Sequence, residues 1–340
     1  LIAVANGQPD DRHVLVAAPV TTGGSPTRIV GFSPRTWGAL AVVGVVIAFS
    51  LSSTLVKRAE TPGVLVAFWR LTLVSVVWNL LLWSTGRRVT LRDVRQALVP
   101  GVFFGLNVAI FFAGATQNSV ANAALIGSLS PFLIVPIGAV LFGEYFDPRA
   151  LVFAVVAFGG TVIVLFSAPP LGDASVRGNV FGVAAMLLWT GYVVSTRHFR
   201  RDMDVATFMA TVSPIAAIAV LPLTIANGNG FGMSGTGWVY TLLLTFLIGM
   251  AGHGLLVFAQ KTIPIGTIGI AQVIQPALAV VWSFLLLGET LNRWQATGIA
   301  IVVLGLLAFL VLNERATRAR RPEKPGDAAA ASDGAGRTVI

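Results

Sequence analysis

Few residues in this chain can do chemistry, and those few are set in apolar surroundings. Arg70, Glu144 and Glu289 carry charge and His253 can acquire it, whereas Asn107, Asn118, Asn122, Gln272 and Gln275 can only hydrogen-bond. Trp189, Tyr192 and Trp282 add aromatic faces with one polar handle each. No nucleophile stands beside a base, no two acids pair within an apolar stretch, and no His-rich cluster has metal-ligand spacing. Cysteine is absent, which removes disulfides, thiolate metal sites and redox motifs. The spacing of the glycines suits close helix packing and not a phosphate-cradling loop. The expected protein therefore has no catalytic residues, no cofactor and no metal. Isolated polar groups inside apolar helices bind solutes or glue helices together.

Such residues must be positioned by membrane helices. Ten apolar stretches follow one another at about 37–56, 63–83, 97–115, 119–142, 149–166, 178–197, 205–225, 237–259, 264–287 and 293–312, and a span needs about 20 apolar residues to cross the hydrocarbon layer. The 340 residues are 55% hydrophobic and 11% charged, far below the roughly 25% charged residues of soluble domains. The net charge of +9 is no nucleic-acid signature, because the basic residues sit in short loops and tails. Arg87, Arg88, Arg92, Arg95, Arg149, Arg197, Arg200, Arg201 and Lys261 fall on one side with the tails, against Lys57, Arg58, Arg177 and Arg293 on the other. This bias predicts both termini in the cytoplasm. Residues 1–36 and 313–340 are expected to be disordered tails. Trp37, Trp238 and Trp294 fall at span ends as interfacial anchors, while Trp69, Trp189 and Trp282 lie deeper.

The second half repeats the first. Pro131, Gly143 and Glu144 recur as Pro276, Gly288 and Glu289 at an offset of 145, which Gly160 and Gly305 keep. Near the start of each half, Phe49 and Lys57 stand against Trp189 and Arg197 at an offset of 140. Each copy (37–166 and 178–312) holds an odd number of spans, so the expected fold is all-α integral membrane, ten transmembrane helices in two inverted five-helix repeats. That is the build of secondary transporters, whose halves rock about a midplane site.

The chain resembles the EamA-type members of the drug/metabolite transporter superfamily. The likeness rests on Phe68-Trp69-Arg70, the doubled phrases Pro131…Gly143-Glu144 and Pro276…Gly288-Glu289, Gly160 and Gly305, and Trp189…Tyr192…Arg197. It covers everything but the tails and implies a transporter, commonly an exporter, of small metabolites, amino acids or drug-like compounds.

The individual residues divide by depth. Arg70 lies seven residues into its span, where a charge is costly. It is expected to be structural, snorkelling outward or pairing with Glu144 or a carbonyl, with a substrate-carboxylate anchor as the competing reading. The occurrence of this arginine across the resembled family's many substrates points to the structural role. Glu144 and Glu289 close their spans and read as gate latches, each pairing with a basic residue such as Arg149 or Arg293 or capping a helix N-terminus. His253 is the one histidine inside a span and the only candidate proton carrier; its counterpart, at an offset of 146, is Asn107. A binding pair on a pseudo-two-fold axis and interhelical hydrogen bonding are both open for them. Asn118 and Asn122, four apart, share a helix face, as do Gln272 and Gln275, three apart. Both pairs precede the prolines, which free carbonyls toward a cavity. These residues, with Trp189, Tyr192 and Trp282, are the expected substrate pathway.

The expected function is secondary transport of a small organic solute across the plasma or bacterial inner membrane by alternating access. A non-transporting scaffold or sensor is the alternative, and an enzyme acting on lipid lacks its acids. Partners are the small-molecule substrate and membrane lipid, without nucleic acid; proton coupling and a homodimer are left open.

Overall fold

The computed structural model describes residues 33–117, 126–167, 176–200, 203–228, 230–287 and 292–320. Every regular element among the described residues is helical. In chain order these are α1 (Pro34–Ser50), α2 (Ser52–Arg58), α3 (Gly63–Ser84), α4 (Leu91–Gln117), α5 (Pro131–Phe142), α6 (Pro148–Phe166), α7 (Val176–Phe199) and α8 (Val205–Ala226). There follow α9 (Gly235–Leu243), a π-helical stretch Leu244–Gly252, α10 (His253–Ala259), α11 (Ile265–Ala271), a 3₁₀ turn Gln272–Ile274, α12 (Gln275–Leu287) and α13 (Arg293–Ala319). Taken with their continuations, nine helices among the described residues are long and apolar enough to cross a membrane, and α5 is a shorter apolar helix.

Local chemistry sets where these helices begin. Ser33, Asp147, Asp204, Ser234 and Asn292 each accept a backbone N–H of the first turn, and Pro34 and Pro148 occupy first helical positions. Asn292 and Gln295 form a reciprocal capping box. Thr90 and Asp93 exchange hydrogen bonds in the same way, which is why α4 starts at Leu91, ahead of the apolar stretch expected from residue 97. At the other end, α13 continues to Ala319, beyond the expected tail boundary at 313. Glu314 there binds both Arg35 of α1 and Arg318 of its own helix, and these ion pairs hold the last turns. The 3₁₀ turn also has a local cause: Pro276 has no N–H for the carbonyl of Gln272 and its ring crowds that carbonyl.

Packing follows from small residues. The α4 helix packs on α3, α7 and α8, and α6 packs along α13. A Cβ on Gly105 would lie 2.4 Å from the Ala216 oxygen, and one on Gly160 would lie 2.9 Å from the Gly298 oxygen. Only glycine lets these backbones approach so closely. The larger core joins Val45, Leu71, Phe104, Tyr192, Phe208 and Leu256, and a second core lies between α6 and α13 around Ala157, Val302 and Phe309. The outer surface is apolar as well: Val140, Phe166, Ile218 and Leu304 are all more than half exposed. A protein greasy inside and out is built for lipid.

Candidate functional site

The π-helical stretch ends at Gly252 and delivers His253 into the middle of the larger core, where the ring is buried. π turns recur at functional sites because they displace side chains from the α-helical register. Around the imidazole stand Phe49 of α1, Phe104 of α4, and Trp189 and Tyr192 of α7, at ring-centroid distances of 4.8, 4.5, 6.1 and 5.8 Å. Phe104 stacks on Tyr192 at 4.9 Å, and Trp189 leans on Phe49 at 5.7 Å. A Cβ on Gly252 would lie 2.5 Å from the Phe49 ring, so glycine at this position lets that ring reach His253. The result is an aromatic cage made by four separate spans, with Trp189, Tyr192 and His253 brought together as the sequence suggests.

Two polar heads in the cage make no well-formed hydrogen bond, His253 Nδ1 and the Tyr192 hydroxyl, which has the buried Thr196 hydroxyl of the next turn beside it. Arg70 of α3 has none for its Nε and Nη2 atoms either, although the residue is only 1% exposed. Its guanidinium lies 5.4 Å from the Phe112 ring centre, and its charge acts on both Tyr192 and His253. Arg70 therefore neither snorkels nor meets Glu144. Its side chain is enclosed, and Glu144 binds elsewhere.

Glu144 follows Gly143, whose left-handed backbone (φ +62°) ends α5. Its carboxylate accepts the N–H groups of Ile265 at 2.7 Å and Gly266 at 3.1 Å, so it caps α11. Among the described residues its oxygens form no ion pair, and Arg149 instead gives its backbone N–H to Asp147. Burial pushes the Glu144 carboxyl up, opposed by the two N–H groups and by the charge of Arg197. Phe146 closes on Gly266, where a Cβ would lie 2.3 Å from the ring. Asp147 donates its N–H to Asn313, and Arg320 lies 3.7 Å from the Tyr145 ring centre. The turn 143–147 is thus fastened to α11 and α13 residue by residue.

The remaining expected pathway residues scatter. Asn107 is buried, but its amide donates to the Ala185 oxygen at 2.8 Å and so holds α4 to α7. The Gln272 amide points back to the Ile268 oxygen, and Gln275 donates to Gln272 at 3.2 Å. The Trp282 indole donates to the Ser50 hydroxyl at 2.8 Å, one residue from Phe49, and so ties α12 to the cage wall. Trp69 lies apart, donating to the Phe231 oxygen and packing on Trp238. Asn118, Asn122 and Glu289 lie outside the described residues.

Sequence reading missed Phe104 and Arg200. Phe104, Val108 and Phe112 follow one another at helical spacing on the buried side of α4, a signal available in the sequence. Arg200 is buried beyond α7 and donates to the Val257 oxygen near the end of α10. Burial lowers its guanidinium to about 10. Nothing in its local sequence separates it from the exposed arginines nearby.

The pattern of the EamA-like transporter family matches this chain twice, over residues 36–166 and 176–311, together most of its length. The chain belongs to that family. It is accordingly a multi-pass membrane transporter and not an enzyme. Among similar proteins, the pseudopaline exporter of Pseudomonas aeruginosa is 25% identical over 80% of this chain and 95% of its own length. The threonine/homoserine exporter of Salmonella typhimurium is 23% identical over 84% of this chain and 92% of its own length. An uncharacterized transporter of Archaeoglobus fulgidus is 25% identical over 64% and 78%. One solved crystal structure shares the fold, with a TM-score of 0.68 and 21% identity over 83% of this chain and 99% of that one.

Proposed function

We propose that this EamA-type protein is a secondary transporter that exports a small organic metabolite, such as an amino acid or drug-like compound, across the cytoplasmic membrane by alternating access. The carrying observation is the aromatic cage with polar heads that make no well-formed hydrogen bond, enclosed by spans from both family matches. Exporters of amino acids and of pseudopaline among its relatives support the direction and the size of the cargo.

The proposed body has ten spans in two inverted five-helix copies, 37–166 and 178–312, between tails at 1–36 and 313–340. Element starts support the repeat: Pro34 matches Val176, Gly63 matches Val205, and Pro148 matches Arg293. The helix-capping residues Asp147 and Asn292 keep the 145-residue offset. An odd number of spans per copy inverts the second, which is the arrangement that rocks between two openings. The arginine-rich turns favour cytoplasmic termini. On that orientation the turn 143–147 and the start of α11 face the cytoplasm, and Glu144 is the latch of the inner gate. His253 is the one buried histidine among the described residues and the carrier for any proton coupling.

The test is counterflow in proteoliposomes preloaded with threonine, homoserine, other amino acids or amphiphilic drugs. Saturable accumulation of labelled solute is expected for at least one class. Correctly inserted protein that exchanges none of them would overturn the carrier reading.

A further inference from the structure

The Arg70 guanidinium is the least explained group in the molecule. Its Nε and Nη2 are enclosed without a hydrogen-bond partner, whereas buried polar atoms in folded proteins are nearly always satisfied. Every Asp and Glu among the described residues lies in a turn or in the end turns of a helix, so no carboxylate of the described chain answers this charge. Phe112 offers only a cation–π contact at 5.4 Å, which compensates part of the desolvation of a cation.

The surroundings are built rather than accidental. A Cβ on Gly249 would lie 3.5 Å from Arg70 Nε and 2.4 Å from Val74 Cγ2. The glycine, in the π-helical stretch, lets that backbone close on α3 beside the guanidinium. Four residues on, the same span presents His253, whose Nδ1 is also unpartnered, and across the cage Tyr192 presents a hydroxyl that makes no well-formed hydrogen bond. One cation and two neutral polar heads, all within the reach of the same charge and walled by aromatic rings, lack the same thing. A single ligand with an anionic end and an apolar or polar body would satisfy all three.

We propose that Arg70, Tyr192 and His253 form a binding site for the carboxylate end of the transported solute. Arg70 supplies the counter-charge, the two neutral heads supply hydrogen bonds, and Phe49, Phe104 and Trp189 hold the body. The proposal deepens the carrier reading and rests on it for the identity of the ligand as cargo. It selects anionic and zwitterionic solutes over cationic ones, because the enclosed charge repels a cation that brings no anion of its own.

The purified full chain in detergent is titrated with sodium acetate, acetamide or sodium chloride at fixed ionic strength, and its Tm is followed. Acetate is expected to raise Tm saturably, by about 3 °C at ten times its Kd, with acetamide inert and chloride weaker. Arg70→Met should abolish the rise. Tyr192→Phe removes a hydroxyl that has only the buried Thr196 hydroxyl beside it, and should weaken acetate by about tenfold or more, one hydrogen bond to a charged group. A rise that survives Arg70→Met, an unchanged Kd in Tyr192→Phe, chloride equal to acetate, or acetate no better than acetamide would each overturn the proposal. Acetate binding without counterflow of any solute would instead remove the carrier reading and leave the anion site. Threonine counterflow indifferent to Arg70→Met would do the reverse.

Discussion

Removing the Glu144 carboxylate should unfasten the turn 143–147 from α11 while leaving the spans in place. In Glu144→Ala, the N–H groups of Ile265 and Gly266 lose acceptors at 2.7 and 3.1 Å. Loss of a helix cap costs about 0.5–2 kcal/mol. A middle value near 1.4 kcal/mol corresponds to about tenfold in an equilibrium. That energy is felt only when the turn 143–147 lies on α11, so on the proposed carrier reading it shifts the balance between closed and open states of this gate. The chain has no native cysteine, so Ile265→Cys gives a thiol without background at a fully buried position. Impermeant maleimide applied to inside-out vesicles should label this thiol about tenfold faster when Glu144→Ala is added, the factor expected of a lost cap. The carboxyl also sets a pH dependence whose sign follows from burial. Its proton is held more tightly in the closed gate than when solvated, so acid favours closure. The stabilisation is fully present below the free glutamate value of about 4.3 and is lost as pH rises through the raised value. Divided by the rate of a free thiol at the same pH, which corrects for the falling thiolate fraction, labelling should therefore slow on acidification when Glu144 is present and stay flat in Glu144→Ala. Equal labelling rates with and without Glu144 would refute the latch.

Three further substitutions separate gate from scaffold. Gly138→Ala places a Cβ 2.7 Å from Glu144 Oε2 and should reproduce the faster labelling with the carboxylate still present. Gly105→Ala meets the Ala216 backbone at 2.4 Å and should push α4 from α8, lowering Tm in a thermal melt by an amount equivalent to about 1–3 kcal/mol. Asn107→Leu removes the bond to the Ala185 oxygen and should cost about 0.6 kcal/mol of stability. Counterflow per folded molecule should remain near that of the parent chain.

The membrane character and helical class were legible because apolar length is a one-dimensional property. Trp189, Tyr192 and His253 were legible as a set for a related reason, since any aromatic or polar group deep in a span stands out against its neighbours. What sequence could not reveal were the partners. Asn107 and His253 occupy matching positions, yet one is bound to a carbonyl of the adjacent helix and the other has a free ring nitrogen. Glu144 was recognisable as a possible helix cap, but the donors it accepts from are backbone amides of residues 265 and 266, which carry no side-chain signature. Arg70 was expected to find an acid, a carbonyl or the interface, with a substrate carboxylate as the competing reading; its enclosure is a three-dimensional fact. Nor does any proline or glycine pattern distinguish Leu244–Gly252 as π-helical. That register arises where tertiary contact with α1 and α3 outweighs the intrinsic preference for the α-form.

The wide coil above His253 also bears on how this span can move. Each hydrogen bond there spans one residue more than in the α-form, so a return of Leu244–Gly252 to the α-form would turn the imidazole about the helix axis without a break in the rod.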